Sequence, residues 1–478
     1  MPFSNNRNTN DTMKNISRRK FIGQLGCGAM GYATLYNSLI NMKAINAAAM
    51  ANSAVAAAGD YKALVCLMQS GGNDSFNMLV PRDNASYQVY ANTRSNLALP
   101  QEDLLALKGT NNSMQLGVHP SMTAVHQLFE DNHLAFISNV GTLIQPTTKE
   151  DFNSYQQKLL PLGLFSHSDQ SQQWQTGFPH ERSSVGWGGK IADMIHDMNT
   201  NQRISMNISL SGTNIFQSGQ NTIEYAIDPY NGSVGIYGYG VTDEWNVFDR
   251  MRTQAIDSLL EYNYQDIFKK TYADVIRDSR DAHIEFESAL SQSVIGTSFS
   301  DNYLSKSFEM IARTIAVQQT LNVQRQIFFV DYGGWDHHDE VLQSQQDMLP
   351  VLSTALGEFY AALQELNMTD QVTTFSISEF GRTLTSNGNG TDHAWGGNVL
   401  VMGGGVKGGK VYGTYPSLEL ESDLEIGGGV LIPSTSVDQY FAEMALWFGV
   451  SSSELGTLFP NLSNFYSGTG APLGFLTI

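Results

Sequence analysis

The sequence predicts an α/β layered fold with a mostly parallel central sheet. Three observations carry that prediction. Short apolar runs recur along the chain, each about as long as one buried strand. Helical patterns, with apolar residues at three- and four-residue steps, lie between them. Most of the runs end in a polar, glycine-rich loop. Unbroken apolar runs mark strands covered on both faces, and their alternation with helices favours parallel pairing.

The first segment stands outside this pattern. Ser17-Arg18-Arg19-Lys20-Phe21-Ile22-Gly23 reads as a twin-arginine export signal. A weakly apolar stretch follows to about Ile40, diluted by Gln24 and Asn37, which makes a poor permanent bilayer span. An alanine-rich stretch, Ala47 to Ala58, offers a cleavage site at Ala56-Ala57-Ala58 before Gly59. The expectation is a removed signal over 1–58 and one α/β domain over 59–478. The twin-arginine translocase would carry that domain already folded to the periplasm or the outside. No integral membrane span is expected in the mature chain.

Strands are predicted at Ala63–Met68, Leu134–Ile137, Ile327–Val330, Val372–Ile377 and Val399–Met402, all read as parallel. Helices are predicted at Met122–Glu130, Ser305–Gln319 and Met348–Leu366. The stretch 203–240 is rich in Ser, Thr, Asn, Gly and Tyr and alternates at Ile204, Met206, Ile208 and Leu210. It predicts a small antiparallel, β-rich excursion. The region 243–300 predicts exposed helix. Together, 203–300 form an insertion in the single domain.

The formal net charge of -19 disfavours nucleic acid and anionic lipid as partners. The first 58 residues are basic, so their removal leaves the chain more acidic still. Cys27 leaves with the signal, and Cys66 lies in an apolar run where a buried thiol is expected. No internal disulfide is expected.

Chemistry gathers at the C-terminal ends of the predicted strands, where open α/β sheets bind ligands. Gln69 to Asn77 contains Gly71-Gly72-Asn73-Asp74-Ser75. Asp331 to Asp339 contains Trp335-Asp336-His337-His338. Ser378-Glu379-Phe380-Gly381-Arg382-Thr383 follows the fourth strand, and Asp392-His393-Ala394-Trp395 precedes the fifth. Phe165-Ser166-His167 follows the second at some distance. Carboxylates and imidazoles from separate loops suit zinc, manganese or another borderline divalent ion. A hydroxyl beside such an ion is a candidate nucleophile. The bland alternatives are that Asp74 caps a helix, that Arg382 neutralises Glu379, and that the histidines are structural. No phosphate-loop, dinucleotide or G-x-S-x-G pattern is present.

In these motifs, in Gly186-Trp187 and in the ending Phe459-Pro460-Asn461-Leu462, the chain resembles the secreted bacterial family called domain of unknown function 1501. The likeness keeps motif order from about Tyr61 to Phe465. That family is similar to the alkaline phosphatase and sulfatase superfamily. The resemblance implies a three-layer α/β/α sandwich with a metal site on the sheet's rim. It implies Asp74, Asp336, His338 (or His337) and His393 as metal ligands. Ser378-Glu379 stands where phosphatases carry an Asp-His pair, so one ligand is altered, with Glu379 as the metal ligand there, and one is missing. Ser166 matches the nucleophile segment, with Ser75 as its competitor; His167 or Arg382 would stabilise an oxyanion. No Cys-x-Pro-x-Arg signature is present.

Two functions follow. One is an exported hydrolase of phosphate or sulfate esters, on small-molecule or polymer substrates, dependent on a divalent metal, zinc by first choice, with the count open. The other is a non-catalytic binding or assembly protein on the same fold.

Overall fold

Alternation within one strand organises the molecule. In β1 (Lys62–Met68), Ala63, Val65 and Leu67 enter one apolar layer, and Leu64, Cys66 and Met68 enter the other. Both sets are buried, because helices cover both faces of the sheet. Cys66 is a free, buried thiol, as its apolar setting predicts. The computed structural model describes residues 61–108, 114–154, 159–240 and 245–478; the export signal and its cleavage site lie outside the described residues.

The main sheet has nine strands among the described residues. After β1 come β2 (Leu134–Gly141), β3 (Asn207–Ser209), β4 (Tyr225–Ala226) and β5 (Arg325–Asp331). Then come β6 (Val372–Ile377), β7 (Gly397–Gly403), β8 (Val411–Tyr412) and β9 (Thr435–Ser436). Their order across the sheet is β8-β2-β7-β6-β1-β5-β3-β4, with β9 on β2. β1 pairs in parallel with β5 on one side and β6 on the other. A small antiparallel sheet of Leu79–Pro81, Leu116–Val118 and Leu105–Ala106 sits apart.

The helices that matter here are α1 (Asn84–Arg94), α2 (Thr123–Glu130), α3 (His167–Thr176), α4 (Trp187–Ile195) and α5 (Val247–Leu260). They continue with α6 (Ile267–Leu290), α7 (Tyr303–Ala316), α8 (Val341–Glu365) and α9 (Val437–Phe448). Phe129 of α2, Phe308 of α7 and Phe359 of α8 share the first apolar layer with Val65. Trp187 of α4 and Phe441 of α9 share the second with Cys66, their rings stacked at 4.8 Å. The result is an α/β/α sandwich with a mostly parallel sheet.

Two expectations are corrected. β7 runs antiparallel to both β6 and β2. No helix crosses over between β6 and β7, so the chain returns directly, and a direct return produces antiparallel pairing. The stretch 203–240 is not an antiparallel excursion either. β3 pairs in parallel with β5, and β4 in parallel with β3, so this stretch extends the main sheet at its edge. Among the described residues, no helix is long and apolar enough to cross a membrane.

Candidate metal centre

Three neighbouring parallel strands stop on one rim. β6, β1 and β5 lie side by side, so the loops leaving Ile377, Met68 and Asp331 are adjacent. The antiparallel return into β7 brings His393 back to the same end as Glu379. The isolated bridge between Arg382 and His393 closes that loop on itself.

Gly71 brings the first loop against the other two. Its φ is +121°, and a Cβ there would overlap the backbone nitrogen of Asp336. Its N–H donates to Oε1 of Glu379 at 2.8 Å. Gly72 makes room for the Phe380 ring in the same way. That ring then packs against both His167 and His393, with centroids 4.8 and 4.6 Å away.

The centre itself is His167, Asp336 and His393, whose ligand atoms all lie within 4.8 Å of one another. Nδ1 of His167 meets Oε1 of Glu379 at 2.9 Å. Nδ1 of His393 meets the carbonyl of Phe165 at 2.8 Å. Both acceptors require a proton on Nδ1, which leaves each Nε2 with its lone pair. These two Nε2 atoms face each other at 3.0 Å. They lie 3.5 and 3.4 Å from the two oxygens of Asp336. Two lone pairs so close are stable only with a positive charge between them, a proton or a metal ion. Ligands on a tetrahedral zinc, at bond lengths of about 2.0–2.1 Å, stand about 3.3 Å apart. The donor types and spacing fit a divalent ion.

Electrostatics favour the forms that bind cations. Burial lowers the pKa of His393, and neighbouring His167 and Arg382 add to the effect against the opposing pull of Phe165 and Asp336. Partial burial pushes Asp336 up, but Arg382, His338 and His167 outweigh it and hold the carboxyl below its ordinary value. Arg382 is fully buried, reaches Asp336 at 2.8 Å and the carbonyl of Thr391 at 2.7 Å. It therefore neutralises Asp336 rather than Glu379. His338 stands on the open side, its Nδ1 2.9 Å from Asp336.

The other residues singled out in the sequence are placed differently. Asp74 is fully buried in an ion pair with Arg94 of α1. Its second oxygen has no hydrogen-bond partner, and its backbone carbonyl accepts from Gln345 at 2.8 Å. His337 is buried behind the loop, and that burial lowers its pKa against the opposing charge of Asp74. Glu379 is buried and grips His167 through one oxygen, leaving the other unpartnered. Ser166 caps α3, accepting from Asp169 N at 3.5 Å with its hydroxyl 3.1 Å from that of Ser168. Ser75 is buried, and its hydroxyl accepts from Asn398 N at 2.7 Å. Sequence reasoning gave no role to Arg94 or to the Phe380 ring. It gave His167 an oxyanion role, whereas its Nε2 points at the other donors.

Residues 250–454 match a family model described as protein of unknown function, DUF1501. This is the family its motifs resemble. The match takes in Asp336, Glu379, Arg382 and His393 and leaves out the first strand's loop and α3. No curated protein matches the chain. Similar solved structures include Ps i-CgsB in complex with k-i-k-neocarrahexaose, at 11% identity and TM-score 0.31, covering 84% of this chain and 74% of that one. A sulfatase from Pseudoalteromonas sp. aligns at 9% identity and TM-score 0.32, covering 86% and 71%. A mutant of the alkaline phosphatase PafA aligns at 11% identity and TM-score 0.29, covering 68% and 64%.

Proposed function

We propose that the chain is an exported, metal-dependent hydrolase of phosphate or sulfate esters, with His167, Asp336 and His393 holding a divalent ion, zinc by preference. The observation that carries this reading is the pair of imidazoles anchored at Nδ1 with both Nε2 atoms turned to one carboxylate. A bound ion here would polarise an ester oxygen and lower the pKa of a water or hydroxyl beside it.

The chain's own groups divide the remaining work. Glu379 orients His167 and fixes its tautomer through the Nδ1 bond. Arg382 holds Asp336 in place and is not free to grip substrate. His338, 46% exposed, is positioned to take or give a proton at the open face. Ser166, one residue before His167, remains the candidate nucleophile once its cap bond is released.

A second reading has one observation in its favour. Ser166 is occupied as a helix cap and Ser75 is buried, so no free hydroxyl stands ready among the residues the sequence nominated. A non-catalytic binding or assembly protein, its cluster kept for structure or ligand binding, would look the same. Metal analysis of the exported chain, with a screen of phosphomonoester, phosphodiester and sulfate ester substrates, separates the two. Metal with turnover lost in Ser166→Ala supports the hydrolase. Metal without turnover supports the binding protein, and no metal with no turnover defeats the hydrolase.

A further inference from the structure

We propose that two copies of this chain pair through their α5–α6 hairpins, each copy giving two helices to a four-helix bundle. The inference is independent of the metal centre.

α5 has fourteen residues, and Leu260 is its one buried side chain. The buried residues of α6 concentrate near its C-terminal end, where Ala282, Phe286, Ala289 and Leu290 join the first apolar layer. The N-terminal half of α6 and nearly all of α5 therefore stand clear of the core. A helix of this length is marginal in water unless an apolar face is covered.

The uncovered face is apolar. On α5, Phe248, Met251 and Leu259 are 70%, 62% and 60% exposed. On α6, Phe268, Tyr272 and Val275 are 82%, 71% and 59% exposed. The spacings of three, eight, four and three residues place each set on one side of its helix. With aromatic side chains at about 150–250 Å² each and aliphatic ones somewhat less, these six expose on the order of 700 Å². Monomers rarely expose a contiguous apolar patch above a few hundred Å², whereas each partner in a standard interface contributes about 800 Å². The area fits one protein partner.

Charge decides which partner. Amphipathic helices that lie on membranes carry Lys and Arg on the polar face. Between Trp245 and Val294 acidic residues outnumber basic ones, in a chain of net charge -19. An anionic lipid surface is thereby disfavoured. Exposed charges of both signs stand on the hairpin, Lys269 and Lys270 with Glu261 and Asp278. A two-fold pairing brings a patch against its own copy, so mixed charge is self-complementary where single-sign charge is not. Antiparallel helix pairs of this kind pack on each other as four-helix bundles.

Sedimentation velocity on the purified chain at micromolar concentration tests the proposal. The expected result is a dimer, which Phe248→Glu with Phe268→Glu weakens by about 100-fold or more. Both residues are exposed, so the double variant should still fold, with a melting temperature independent of its concentration and close to that of the wild type diluted until it is monomeric. Hydrogen exchange in α5 should slow as protein concentration rises in the wild type alone. A monomer throughout the micromolar range overturns the proposal. So does a dimer indifferent to the double variant, or binding of the hairpin to phosphatidylglycerol vesicles in place of self-association.

Discussion

Nδ1 of His167 sits 2.9 Å from Oε1 of Glu379, an oxygen that also accepts the Gly71 N–H at 2.8 Å. One carboxylate oxygen thus fixes a ring on α3 and the loop after β1 at once. Loss of such an orienting group typically costs 10–100-fold in metal affinity. Glu379→Ala should weaken zinc binding by about that factor, and Glu379→Gln by less, since an amide oxygen still accepts. Competition titration with a zinc-sensitive chelator measures it. Equal affinity in all three proteins would mean that Glu379 does not position the centre.

Asp74 makes the sharpest contrast with the family resemblance. It is paired with Arg94, and both side chains are fully buried. Removing one member of a buried pair leaves the other charge uncompensated, at about 3–5 kcal/mol, whereas replacing both is often close to neutral. Asp74→Asn and Arg94→Met should each lower the urea midpoint, and the double variant should recover much of the loss. Zinc affinity of the folded Asp74→Asn protein should stay near the wild-type value. A loss comparable to that of Asp336→Ala would restore Asp74 as a ligand.

Gly71 should tolerate no side chain. A Cβ would overlap the backbone nitrogen of Asp336, and the residue holds φ at +121°. Overlap with backbone cannot be relieved by a rotamer change. Gly71→Ala should cost about 1–3 kcal/mol and displace Asp336, so that thermal stability and zinc binding fall together. Gly456→Ala is the control, because a Cβ there meets nothing within 4 Å. Unchanged zinc binding in Gly71→Ala would show that the loop contact does not set the centre.

The layered fold was legible because β1, β5 and β6 are covered on both faces, and such strands read as unbroken apolar runs. The direction of β7 was not legible: its run looks the same either way, and the connection alone decides it. At the site, the loops were visible but the facing of their residues was less so. Asp336 and His338 are exposed, and His337 between them is buried. Side chains of an extended segment alternate in direction, so that two-residue period was a usable signal for choosing His338 over His337 as the solvent-facing member. Arg94 carried no such signal. Its partner lies 20 residues away in the chain, and nothing local distinguishes it from a surface arginine at a helix end.

Asp438, near the start of α9, gives a pH dependence well away from the metal centre. It is buried, and burial pushes its pKa up to about 8, only partly opposed by the backbone N–H of Asn461. An unfolded chain ionises an Asp near pH 3.9. The folded state therefore holds a proton that the unfolded state releases between about pH 4 and pH 8. Stability from this group is fully present below about pH 4 and is lost as pH rises toward 8, at about 1.4 kcal/mol per unit. Asp438→Asn keeps the shape and removes the proton. Urea unfolding of both proteins at about pH 5, 6, 7 and 8 should show the variant gaining on the wild type at each step. A difference that stays constant across that range would mean that Asp438 is already ionised in the folded chain.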